Sequence, residues 1–221
     1  VKIKNKICHI CLVLVFAPLI TVSQSAAYKE SFKKDVSLFE SAKTASDFIY
    51  AATCFEKLAI TEKKEWLAFY YAGLCNALAA FEKPLNEIDK WCDKAEAFSR
   101  KADSLSKNNS EIFVLKSMIA AARINVNKAQ RGQKYGAMAT KFAMEAVKLN
   151  EANPRAHFVK AKAILNTPPA LGGGEKKAKP IFELALEKSQ KIFKDGSVFF
   201  PTWGRAEAEQ ELKKINSTSK K

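Results

Sequence analysis

A pattern of small and apolar residues that returns at a fixed distance leaves a chain little choice of architecture, because each copy must form the same local unit and bury its apolar face on the next. Such a pattern runs through this sequence. Ala51 opens it with Phe55 and Leu58, Ala95 with Ser99 and Ala102, Ala139 with Ala143 and Ala146, and Ala178 with Phe182 and Ala185, in steps of 44, 44 and 39 residues. A second set, Phe69 with Gly73, Phe113 with Ser117 and His157 with Ala161, again steps by 44. The two interlock, since Leu58 to Gly73, Ala102 to Ser117 and Ala146 to Ala161 each span 15 positions. Strand signals are few, and small residues such as Ser117, Ala120 and Ala121 recur at helical spacing. Breakers fall at Pro84, Asn108 with Asn109, Asn153 with Pro154, the Pro168 to Gly174 region and Pro201. The spacing predicts roughly nine helices of about 12 to 20 residues joined by short turns.

These residues resemble tetratricopeptide repeats, in which a first helix, A, carries a large residue and, four positions on, a small one, and a second, B, carries an alanine, an aromatic and another alanine. The family unit is about 34 residues, so the longer steps place ten, ten and five extra residues between helix A and helix B. The resemblance covers roughly residues 45 to 195 and is nearest in NEANPRAHFVKAKA and KPIFELALEK. It implies an all-α, right-handed solenoid of stacked antiparallel helix hairpins with long A-to-B insertions. The position before the small residue of helix A departs from the family, being Ala72, Lys116 and Lys160, and Tyr71, Leu115 and Val159 are the better core candidates. With the leader described below, the RGQKYG and GGG segments are similar to exported bacterial members of the superfamily.

Lys2, Lys4 and Lys6, an apolar run from Ile7 to Ile20, and the small residues Ser23, Ser25, Ala26 and Ala27 have the layout of a cleavable signal peptide. Residues 1–27 are expected to be removed, leaving one domain over 28–217 and a basic tail at 218–221, in the periplasm or outside the cell. The formal charge of +14 becomes +11 without those three lysines. Basic residues alternate with Glu and Asp, which describes a solvated surface, with attraction of anionic molecules as the competing reading. Cys54, Cys75 and Cys92 lie in apolar helical contexts, as buried thiols or with a Cys75 to Cys92 disulfide. An exported protein is not expected to meet nucleic acid, and no integral membrane segment is expected in the mature chain.

Gly172, Gly173 and Gly174 sit ahead of a lysine pair but lack the GxxxxGK[ST] spacing, and Glu175 stands where a phosphate would bind, so they read as the corner between helix A and helix B. Pro180 beyond them implies a kink or a helix that starts late. Arg131, Gly132 and Gly136 in RGQKYG read likewise as a turn between helices. His157 has no histidine partner in the mature chain, and no nucleophile elbow or zinc spacing accompanies it. No catalytic residue, metal ligand or cofactor site is therefore expected.

The resemblance implies a concave groove lined by helix A at Tyr70, Val114 and Phe158, then Leu74, Met118 and Lys162, then Ala77, Ala121 and Leu165, with Arg155 adding basic character. The competing reading packs many of these on helix B. The expected function is a noncatalytic scaffold holding a protein or peptide, an adaptor in the cell envelope. Its alternative is a binder of an anionic ligand or polymer through the basic surface.

Overall fold

The computed structural model describes residues 26–84, 86–192 and 200–218. Among the described residues there are nine α-helices and no strand: α1 (Ala26–Ser41), α2 (Ala45–Thr61), α3 (Trp66–Phe81), α4 (Ile88–Leu105), α5 (Ser110–Ile124), α6 (Lys128–Leu149), α7 (Pro154–Leu165), α8 (Glu175–Ile192) and α9 (Arg205–Thr218). The signal segment lies outside the described residues except for Ala26 and Ala27, the first residues of α1, and so does the basic tail except for Thr218.

Polar residues start several of the helices by taking up free amides, Asn109 and Asn153 at expected breaks and Thr44 and Asn127 outside them. Thr44 and Asp47 form a reciprocal capping box on α2. Asn109, Asn127 and Asn153 cap α5, α6 and α7, and Pro154 occupies the first turn of α7, where its missing N–H costs nothing.

Helices adjacent in sequence pack on one another, and α3 also touches α5, as α5 touches α7. The small residues of the repeat make the tight crossings. A Cβ on Gly73 would lie 3.2 Å from the carbonyl oxygen of Ala95, and the Ser117 hydroxyl donates to the carbonyl of Ala139 at 2.9 Å. Ala161 is fully buried, as are Tyr71 and Leu115, and Val159 is nearly so. Phe32 and Phe39 of α1 meet Tyr71, whose ring stacks on Phe55 at 4.9 Å, which draws α1 onto α2 and α3. Cys54, Cys75 and Cys92 are free thiols; Cys75 and Cys92 are buried, and no disulfide joins them. Their setting holds the thiols protonated: burial pushes both up, Cys92 to about 12.

The three glycines form the corner between α7 and α8. Gly172 and Gly174 have φ of 89° and 95°, and a Cβ on Gly173 would lie 2.1 Å from the carbonyl oxygen of Thr167. Pro180 is inside α8, which begins at Glu175, so the helix does not start late; Pro180 is on its exposed side. RGQKYG is not a turn. It lies within α6, whose Asn127 cap and following Ala, Met and Lys residues carry the helix through both glycines.

Candidate functional site

The C-terminal ends of α3, α5 and α7, the inner face of α6, the α1–α2 junction and residues 202–211 surround a cleft of about 2440 Å³. Phe39, Phe48, Phe81, Ile124, Phe158 and Trp203 give it apolar walls. Met118 and Met144 bring thioethers to it, the latter 58% exposed. On α6, Gly132 and Gly136 face open space, with no atom within 4 Å of an added Cβ.

Most charges of the cleft are engaged. Lys162 pairs with Glu211 at 3.1 Å, Arg205 with Glu209 at 3.0 Å and Lys148 with Glu145 at 3.6 Å. Glu207 accepts from the amide of Gly204, and Glu40 accepts from the Thr202 hydroxyl at 2.8 Å. Among the described residues, Lys128 and Lys141 reach the cleft from α6 and no carboxylate pairs with either.

Of the residues expected to line a groove, Met118, Ala121, Phe158 and Lys162 do line the cleft, and Ala77 and Leu165 do not. Tyr70, Leu74, Val114 and Arg155 do not; all four are fully buried. Residues 200–204 return across the face that the repeats alone would leave open. Beneath them Arg155 grips Glu111 through Nε (2.9 and 3.0 Å to the two carboxylate oxygens) and Nη2 (2.7 Å). The Trp203 indole N–H donates to the Tyr70 hydroxyl at 2.9 Å. Burial, then the Glu111 charge, keep that phenol protonated far above its ordinary range. Repeat spacing missed Phe39, Phe48, Phe81, Met144 and Trp203; the aromatics of FFPTWG, residues 199–204, bounded by a proline and a glycine, were the available signal for the last of these.

Among the described residues, no histidine, cysteine or tyrosine lines the cleft, and no group of three or more His, Cys, Asp or Glu could hold a metal ion. His157 is away from it, buried, with Nε2 2.8 Å from the Glu151 carbonyl oxygen; burial holds its pKa below the usual value. No helix among the described residues is long and apolar enough to cross a membrane. The cleft can take a bulky apolar molecule against aromatic and thioether side chains and meet acidic groups on it with two lysines.

No protein-family model and no curated protein matches the sequence. Among solved structures, the chain is similar to the HusA haemophore from Porphyromonas gingivalis, with 34% identity and a TM-score of 0.80 over 89% of this chain and 96% of that one. A haemophore as relative overturns the expected scaffold for a protein or peptide. The repeat spacing had located the helices, but it carried no information about what a cleft between them accepts. With that identity over nearly the full length of its relative, the chain belongs to the family of the HusA haemophore.

Proposed function

We propose that this protein is a noncatalytic haem carrier whose cargo lies in the cleft between α6 and residues 202–211. The observation that supports the reading most is the 34% identity to a haemophore across 96% of its chain. The cleft fits such a cargo. Its volume of about 2440 Å³ exceeds the roughly 300 to 1,000 Å³ of ordinary small-molecule pockets, which supports a bulky cargo. Phe158, Trp203 and Ile124 offer apolar surface to the ring system, and Lys128 and Lys141 are available for its carboxylates. Met118 and Met144 supply the thioether, a known class of axial ligand to haem iron.

The repeat steps of 44 residues, the Gly73 to Ala95 and Ser117 to Ala139 crossings, and the contacts of α3 with α5 and α5 with α7 support a right-handed, tetratricopeptide-like stacking of hairpins. The basic and then apolar N-terminal segment supports cleavage of residues 1–27 and a periplasmic or extracellular carrier.

Titration of the purified chain with haem should give a saturable shift of the Soret band at low micromolar protein. Met144→Ala should alter the band position where the thioether reaches iron and leave it where the macrocycle alone is held. An unchanged Soret band, with haem recovered free of protein on gel filtration, would rule the proposal out.

A further inference from the structure

Trp203 lines the cleft, whereas Trp66 and Trp91 do not. It belongs to a short segment between helices, where an aromatic side chain would ordinarily sample several rotamers. Here it is held from three sides. Its carbonyl accepts from Arg155 Nη1 at 3.4 Å, its indole N–H donates to Tyr70 at 2.9 Å, and its ring stands edge-on to Phe158 with centroids 6.1 Å apart.

The holding groups are themselves fixed. Arg155 is bound through two of its nitrogens to Glu111, and the ring of Phe200 lies 4.9 Å from its guanidinium. Gly204 crosses its stem so closely that a Cβ there would lie 2.9 Å from Arg155 Cγ. The Tyr70 hydroxyl in turn donates to Glu111 at 3.4 Å, which closes the network on itself. A buried ion pair is a poor source of stability compared with apolar side chains of the same volume. Its place directly beneath a wall of the cleft is accounted for by what it holds.

We infer that Glu111, Arg155 and Tyr70, all closed to solvent, are positioning residues that set the Trp203 indole as a fixed aromatic wall for the planar face of the cargo. The inference rests on the haem reading above. Preorganisation of this kind raises affinity because the wall loses no rotamer freedom when the ligand arrives. The three residues act on the cargo only through Trp203, so their removal should change binding without removing any contact to it.

The test uses the whole chain and haem as the probe. Tyr70→Phe keeps the ring and its packing and deletes the hydroxyl that accepts from the indole N–H and donates to Glu111; Arg155→Lys keeps the charge and deletes the bidentate grip. For each, the exchange rate of the Trp203 indole proton is followed by NMR, assigned by its loss in Trp203→Phe, beside the haem dissociation constant and the helical circular dichroism. In Tyr70→Phe the indole proton should exchange about 3- to 10-fold faster and haem should bind weaker by a similar factor, with helical content unchanged. Trp203→Phe should weaken haem binding at least as much. Wild-type exchange and affinity in Tyr70→Phe would overturn the inference, and so would faster exchange with unaltered affinity, because the wall would then be held without serving the cargo. Should Arg155→Lys not fold, Tyr70→Phe decides alone. Wild-type protein that leaves the Soret band unchanged would overturn the haem reading instead, and the inference as a statement about haem with it.

Discussion

Gly132 and Gly173 should respond to alanine in opposite directions. Gly132 is interior to α6 and a Cβ there meets nothing within 4 Å, so Gly132→Ala trades a costly helix residue for a good one and should stabilise the chain by about 0.5 to 1 kcal/mol. Gly173 is wedged against backbone, 2.1 Å from the Thr167 carbonyl oxygen on adding a Cβ, so Gly173→Ala should destabilise by about 1 to 3 kcal/mol. Chemical denaturation of both variants checks the pair, and equal shifts would refute it. The two also mark what single residues disclosed in advance. Three glycines before Glu175 pointed to a corner, because the breakers Pro168 and Pro169 stand beside them. Gly132 and Gly136 pointed to a turn as well, yet propensity is a small term beside a cap and the long run of helix formers that follows.

At the level of elements, the junction of α6 with α7 is held by polar groups rather than by apolar bulk. Asn153 caps α7 and donates to the Ser110 hydroxyl at 2.9 Å, and that hydroxyl donates to the Ala146 carbonyl at 2.7 Å. His157 completes the junction at the Glu151 carbonyl. Its folded-state pKa is lowered, first by burial and further by Lys188 and Lys160. The stability tied to the neutral imidazole is therefore complete above the unfolded value of about 6.5 and is lost as pH falls through the folded value. The thermal midpoint should drop as pH falls below about 6.5, and His157→Gln should flatten that part of the curve. A His157→Gln curve parallel to wild type would show that the histidine carries none of this dependence. The repeat made the helices legible, since its two motifs fall on α2 to α8. It could not disclose which face of α3, α5 and α7 lies open, because residues 200–204 come after the last repeat and cover Tyr70 and Arg155. Met118, Phe158 and Lys162 escaped that cover and were legible for that reason.

For the molecule as a whole, the decisive contact joins its two ends. Thr202 donates to Glu40 at 2.8 Å, so the segment before α9 is fastened to α1 at the cleft, while Lys162 pairs with Glu211 of α9. An open stack of helices frays at its termini. Here the amides of α1 and of the first turns of α9 should be protected from hydrogen exchange together, and Thr202→Val should lower protection in both by about 2- to 10-fold. Loss confined to α9 would show that the ends are independent. The crossing of Gly204 over Arg155 also imposes an order on how such a chain can diverge. While the arginine stands, any side chain at 204 collides with its stem, and even after its loss the φ of 105° favours glycine. Replacing Arg155 first strands Glu111 in the interior without its partner, at about 3 to 5 kcal/mol. Drift must therefore pass through the acid and the arginine nearly at once, with the glycine last to change, and the three should be inherited as one character.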